Sequence, residues 1–311
     1  MELAPIVLFV YNRPWHAQKT VEALRGNTLA KASTLYVYAD GPKTTDRVSH
    51  IQQVRNYIRS ITGFKRIEII ERDANMGLAR SIIAGVSKVV NRHGKVIVLE
   101  DDCVTSPHFL NFMNRNLDAY AETKNIFMVG GHCPPDMHFP EDYHDGVFFA
   151  PRGCSWGWGT WKSRWEKARW FDNEYFSSLL QNEDFCCEFK AGGKDKLKIL
   201  RDYLFNKIDT WDIQWLVTLW EQKGLTLFPT KTLVQNIGFD GSGTNCIAST
   251  CPLGVLAHEP PGDYAMKNPI VDPEILRQFE KTFHKSFFRK AMDRMLALRR
   301  RYDFKMKSHR V

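Results

Sequence analysis

The first 130 residues switch repeatedly between two hydrophobic patterns. Pro5–Tyr11 (PIVLFVY) is an unbroken apolar run, the mark of a strand buried on both faces. Asn12-Arg13-Pro14 ends it, and the proline opens a helix over Trp15–Arg25. Thr34–Ala39 reads as a second strand, stopped by Asp40-Gly41-Pro42, and is followed by a helix over Thr45–Ile61 and a third strand over Lys65–Glu71. Asn75-Met76-Gly77 leads into a helix over Leu78–Asn91. Lys95–Leu99 (KVIVL) is a fourth strand and runs straight into Glu100-Asp101-Asp102; a helix over Pro107–Thr123 and a fifth strand over Ile126–Val129 close the series. Strand–helix repetition of this kind predicts an α/β fold, a Rossmann-like, mostly parallel sheet with helices on both faces.

Past residue 130 the pattern changes. Glycines and aromatic residues crowd Gly146–Trp170, and helical periodicity returns at Lys194–Phe205 and Thr210–Lys223. Short strands are expected at Leu225–Phe228 and Lys231–Val234, a long loop at Gly238–Pro261, and a final helix from about Pro273. The chain is thus divided into residues 1–130, residues 131–265 as a second half of the same domain, and a tail, residues 266–311.

Composition removes several classes. With 43% hydrophobic and 25% charged residues over 311 positions, the chain is globular rather than disordered or fibrous. The net charge of +8 belongs to the tail: residues 281–311 hold 11 Lys and Arg against 2 Asp and Glu, leaving a body of net −1. A neutral body argues against nucleic acid as a partner. The tail places Phe279, Phe283, Phe287, Met292, Met295 and Leu296 among its cations, a pattern suited either to an anionic membrane surface or to docking on the body. The stretch MELAPIVLFVYNRP has no basic lead or small-residue cleavage site, so the expected location is cytoplasmic, with peripheral contact on the inner face of the membrane. Seven cysteines without C-x-x-C spacing read as reduced thiols, with local pairing of Cys246 and Cys251 the lesser alternative.

Ligands of open α/β sheets bind beyond the carboxyl ends of the strands, which selects Asn12, Arg13, Asp40, Asp73, Asn75 and Glu100-Asp101-Asp102. Three consecutive acids after a buried strand repel one another unless a cation joins them, and Mg²⁺ or Mn²⁺ suits such oxygens. The competing reading is a solvated acidic turn. No G-x-x-x-x-G-K-[ST] and no G-x-G-x-x-G after the first strand is present, which excludes a P-loop and disfavours a dinucleotide dehydrogenase. Phosphate would then be met by metal and arginine, with Arg13 and Arg80 as candidates.

In order, FVYNRP, YADGP, NMGLARS and VLEDDCVTSPHF resemble a GT-A glycosyltransferase. The likeness is to the inverting type that includes bacterial surface-polysaccharide transferases and the N-acetylglucosaminyltransferases. GCSWGWGTW, WDIQW and FPTKTLVQNIGFDGSGTN are similar to acceptor-side motifs of bacterial members. The resemblance implies a nucleotide-sugar-binding first half, an acceptor-binding second half and a metal-dependent hexosyl- or N-acetylhexosaminyltransferase. Its donor would be a nucleotide-diphosphate sugar, a UDP-sugar foremost, and its acceptor a glycan or lipid-linked glycan in surface polysaccharide synthesis. Asn12, Arg13, Asp40, Arg80, Glu100 and Asp101 would then lie at the donor, and Asp102 would hold Mn²⁺ or Mg²⁺.

Inverting transfer requires a carboxylate base. Asp212, opening a helix between Trp211 and Trp215, looks like the family's base, with Glu166, Asp172 and Asp209 as runners-up. The helix start is expected to lower its pKa. Trp156, Gly157, Trp158 and Trp211 are expected to form an acceptor wall, since indole faces suit sugar rings. Asn236, Gly238 and Gly241-Ser242-Gly243 are candidates for a lid, and His258 is a weak candidate for the metal. Two other functions share these features: a sugar-1-phosphate nucleotidyltransferase, whose G-x-G-T-R-type loop Asn12-Arg13-Pro14 does not match, and a non-catalytic carbohydrate- or membrane-binding protein.

Overall fold

The computed structural model describes residues 2–43, 48–243, 254–259 and 267–283. The first half follows the predicted alternation: β1 Ile6–Val10, α1 Pro14–Arg25, β2 Thr34–Ala39, α2 Val48–Arg59, β3 Arg66–Glu71, α3 Leu78–His93 and β4 Lys95–Glu100. Then come β5 Cys103–Thr105, α4 Phe109–Ala119 and β6 Ile126–Gly130. The second half holds β7 Val147–Ala150, β8 Trp158–Trp161, α5 Lys162–Trp165, α6 Asn173–Leu179, α7 Glu183–Glu188, α8 Lys196–Leu204, α9 Asp212–Glu221, β9 Leu225–Pro229, β10 Val234–Asn236 and α10 Pro273–Thr282.

Eight strands form one sheet in the order β3-β2-β1-β4-β8-β6-β9-β7. β3, β2, β1 and β4 are mutually parallel, as are β6 and β9, while β8 and β7 run antiparallel to their neighbours. The α/β class, mostly parallel with helices on both faces, is therefore as expected. Alternation along β1 explains the two layers. Val7 and Phe9 point to a core shared with Ile82, Val86 and Val90 of α3 and Trp215 of α9. Ile6, Leu8 and Val10 point to the other core, with Val21 and Leu24 of α1, Val54 and Ile58 of α2 and Phe112 and Leu117 of α4. Both faces of the strand are filled, which is why its sequence is apolar without interruption.

Two differences from the sequence reading matter for the site. The WGTW segment, expected to face sugar, is strand β8 in the middle of the sheet, pairing Val96 with Thr160 and Gly130 with Trp158. Gly159 is required there: a Cβ would stand 2.9 Å from the Val96 carbonyl oxygen. The expected strand at Lys231–Val234 instead begins at Val234 and pairs antiparallel with β5, matching Asn236 to Cys103. This short ribbon carries residues 237–243 back over the end of β4.

The α10 helix is docked on the body. Ile275 and Phe279 are each 1% exposed, and Phe279 packs on Phe148 and Phe228 with ring centroids 5.4 and 4.9 Å apart. Phe279 is thus core rather than a lipid-facing residue. Phe287, Met292, Met295, Leu296, Cys246 and Cys251 lie outside the described residues. Cys103, Cys133, Cys154, Cys186 and Cys187 are free thiols. No helix among the described residues is long and apolar enough to cross a membrane.

Candidate active site

The carboxyl ends of β1, β2 and β4 meet at one edge of the sheet. β1 pairs Phe9 with Glu100 of β4 and Val10 with Ala39 of β2, so the residues that follow each strand are neighbours in space. They border a cleft of about 220 Å³ whose lining includes Asn12, Arg13, Asp40, Glu100, Asp101 and Asp102. Six of the sequence-predicted donor and metal residues are therefore brought together. Tyr11, Lys43, Asn75, Gly77, Ser81 and Asp209 line the same cleft.

At its centre, the Arg13 guanidinium bonds Asp101 and reaches Asp102 Oδ2 at 2.9 Å. Burial works to lower the Arg13 pKa, but the two aspartates override it and hold the guanidinium firmly charged. Asp101 is 4% exposed, and its pKa is raised by burial against the pull of Arg13. Glu100 is pushed up to about 8, first by burial and then by Asp102 and Asp101. One guanidinium thus faces three carboxylates, and the excess negative charge is met by proton uptake at Glu100.

The returning segment seals this group. The Ile237 amide donates to the Asp102 carbonyl at 2.9 Å, and the Gly238 amide to Asn236 Oδ1 at 2.8 Å. A Cβ on Gly238 would lie 2.2 Å from Asp102 Oδ2 and 2.9 Å from Arg13 Nη1, so only glycine lets the backbone pass over the ion pair. Asp240, two residues on, stands 3.2 Å from His16 Nε2 at the start of α1. His16 and Asp240 escape a strand-end search because neither follows a strand of the main sheet.

Asp40 is engaged by backbone. Its oxygens accept from the Met76 amide at 3.0 and 3.1 Å and from the Gly41 amide at 3.1 Å, and Arg72 Nη1 stands 3.7 Å away. Asn75 Nδ2 donates to the Gly41 carbonyl at 3.0 Å. These bonds fold the loops after β2 and β3 against each other and form one wall of the cleft. Arg72, directly after β3, was accessible to the strand-end rule yet was not among the candidates.

Several expected residues lie elsewhere. Arg80 points out of the cleft and stacks on Phe171 at 4.8 Å, because it falls on the exposed side of α3, whose inner side is taken by Ala79, Ile82 and Ile83. Trp158 and Trp211 stack on each other at 4.5 Å and are 0% and 2% exposed, leaving no ring face for a sugar. Gly157 has φ +62°, and a Cβ there would strike Val234 and Phe109; it serves packing. Of the acceptor wall only Trp156 keeps solvent contact, wedged between His132 at 4.4 Å and Phe239 at 5.5 Å. His258 is exposed on a separate, more open cavity of about 870 Å³ lined also by Cys133, Met137 and Lys231.

Asp212 lies at the N-terminus of α9, with Thr210 Oγ1 donating to its Oδ1. It is close enough to Glu100 to raise that residue's pKa further. Its own pKa is raised by burial, despite Thr210, Arg152 and the Ile213 amide. The shift runs opposite to the lowering expected of a helix start, because desolvation outweighs the dipole.

For a divalent ion the donor set is hard oxygen throughout. Among the described residues no three His, Cys, Asp or Glu side chains converge to hold a metal ion. A surplus of carboxylates without a cage suits an ion that binds through one or two protein oxygens and completes its shell with phosphate and water.

No family model and no curated protein matches this chain. Among solved structures it is similar to S. aureus TarS in a 1–349 form, at 9% identity and TM-score 0.39 over 74% of this chain and 59% of that one. A mannosyltransferase from Pyrobaculum calidifontis in complex with GDP-Man and Mn²⁺ matches at 11% identity and TM-score 0.33, over 52% of this chain and 48% of that one. A UDP-glucose pyrophosphorylase complexed with UDP-glucose matches at 9% identity and TM-score 0.37, over 75% and 93%. The chain spans 25% of a second S. aureus TarS structure and about half of the mannosyltransferase. Likenesses this distant assign no activity.

Proposed function

We propose that the protein is a GT-A-type, metal-dependent, inverting glycosyltransferase that takes a nucleotide-diphosphate sugar as donor. The observation that carries this reading is the Arg13–Asp101–Asp102 group under Gly238, at the joined ends of β1 and β4, with more carboxylate than cation. Mn²⁺ or Mg²⁺ would be held at Asp102, with Asp101 and Glu100 behind it, and when bound would neutralise charge developing on the leaving diphosphate. Asn12 and Arg13 would border the nucleotide, with the Asp40 loop as the facing wall.

Asp212 serves as the base that accepts the acceptor hydroxyl's proton. A buried carboxylate with a raised pKa is a stronger base than a solvated one, and Thr210 fixes its orientation. Trp156 offers the aromatic face for the acceptor, a glycan or lipid-linked glycan. Contact with an anionic membrane surface would fall to the basic residues after Phe283.

The experiment is calorimetric titration with UDP, GDP, UDP-glucose, UDP-N-acetylglucosamine and GDP-mannose, in Mn²⁺ and in chelator, on wild type and Asp102→Ala. Binding of one nucleotide that needs Mn²⁺ and is lost in the variant is the expected result. Absence of binding by every probe with Mn²⁺ present would overturn the transferase reading and leave a non-catalytic protein on this fold.

A further inference from the structure

Asp209 lies three residues before α9, yet its carboxylate reaches the first turn of α3. The Leu78 amide donates to Oδ2 at 2.7 Å, and the Ala79 amide to Oδ1 at 3.3 Å, across 131 and 130 residues of sequence. The first amides of a helix have no partner within it, and α3 has no side-chain cap of its own at Gly77. Gly77 makes room for the carboxylate: its φ is +78°, and a Cβ would stand 2.8 Å from Asp209 Oδ2. Both ends of this tie belong to the cleft, since Gly77, Leu78 and Asp209 line it.

From Asp209 the chain leads directly to the base. Thr210 Oγ1 bonds the Asp212 carboxylate, and Gln214 Nε2 donates to the Thr210 carbonyl at 3.1 Å. A second bond braces the same turn: the Phe171 amide donates to Gln214 Oε1 at 2.7 Å, and Phe171 stacks under Arg80 of α3. The start of α9 is therefore fastened to the start of α3 by one direct tie and one indirect tie.

We infer that Asp209 is a positioning residue: it holds the Thr210–Asp212 segment at a fixed place relative to the donor cleft. The inference rests on the reading of Asp212 as base. It gives Asp209 a role other than that of base, as the acceptor that caps α3 through the Leu78 and Ala79 amides. Its carboxylate is exposed, so truncation leaves both cores intact.

The test uses the full chain as wild type, Asp209→Ala and Asp209→Asn. Amide hydrogen exchange reads residues 78–79 and 215–217 separately, the latter being the first amides of α9 with helical partners. Expected is lost protection at both places in Asp209→Ala, with partial recovery in Asp209→Asn, which keeps one acceptor oxygen. Unchanged protection at 215–217 would overturn the inference, even with 78–79 exposed.

A second arm measures release of nucleotide diphosphate from UDP-glucose or GDP-mannose in Mn²⁺, with water as acceptor. Turnover in Asp209→Ala should fall by about tenfold or more, as for a displaced catalytic group, with KM within about twofold, since the donor's own contacts remain. A raised KM with unchanged kcat would instead make Asp209 a donor contact. Failure of every nucleotide to bind wild type would sink the transferase reading, while the exchange arm would still decide whether the tie exists.

Discussion

Replacing Glu100 by glutamine should stabilise the protein in alkaline solution and do nothing in acid. Glu100 ends β4 at the floor of the cleft, with Asp101 and Asp102 beside it, and its pKa rises from 4.5 to about 8. Unfolded, the side chain loses its proton near 4.5; folded, it keeps it until about 8. Between those values the native state binds one more proton than the unfolded state, so stability falls as pH rises, by 1.36 kcal/mol per pH unit. Over the whole interval that amounts to a ceiling of about 5 kcal/mol, and a compact denatured state with residual structure would reduce it. Asp101 titrates together with Glu100, so a neutral glutamine also eases ionisation of Asp101, and the difference reports the pair rather than Glu100 alone. The assay is urea unfolding of wild type and Glu100→Gln from pH 4 to pH 9 in chelator. The variant should match wild type near pH 4, gain stability progressively above pH 5 and level off above about pH 8. A difference that is constant with pH would refute the account of charge at this site. Adding Mn²⁺ should flatten the slope, because a cation among these oxygens favours the ionised form.

Gly238→Ala places a methyl group where Asp102 and Arg13 now meet the backbone. It should cost about 1–3 kcal/mol by overpacking and abolish Mn²⁺-dependent nucleotide binding, measured by thermal unfolding and calorimetry; retained binding would detach Gly238 from the site. Lys196 is 3% exposed and donates to the Ala191 and Pro151 carbonyls at 2.6 and 3.3 Å, with its pKa pushed down to about 7, first by burial and then by Arg152. A depressed lysine gives the opposite slope to Glu100: wild type should gain stability relative to Lys196→Met as pH rises above about 7, and a flat difference from pH 6 to pH 10 would refute this. Phe279→Ala removes the ring joining α10 to Phe148 and Phe228 and should cost about 3–5 kcal/mol. Denaturant titration measures that loss, and a cost below about 1 kcal/mol would mean α10 is not part of the core.

The strand ends were legible in the sequence because each strand of the first half is a run of apolar residues closed by a polar break, and parallel topology gathers those breaks at one edge. Asn12, Arg13, Asp40 and Glu100-Asp101-Asp102 were found in that way. Helical phase was not legible: Arg80 falls at the start of α3 as expected, but one residue from Ala79 is a turn of 100° and carries it to the outer side. Trp158 and Trp211 illustrate a second loss. A tryptophan beside glycine has the same composition whether it lines a groove or fills a core, and only the pairing of β8 between β4 and β6 decides for the core.

The sign of the Asp212 shift illustrates a third loss. Proximity to a helix N-terminus is readable from sequence, whereas the burial that outweighs it appears only in the folded chain. Gly238 and Asp209 depend on contacts that span more than 130 residues, and no local pattern announces them. Their geometry has one feature in common: a group from the second half is set against a polar group of the first, the Gly238 backbone against Asp102 in one case and the Asp209 carboxylate against the α3 amides in the other. The cleft is therefore made by the first half but held in shape by the second. A substitution near residue 209 or 238 should accordingly alter nucleotide chemistry while leaving the Rossmann-like core folded.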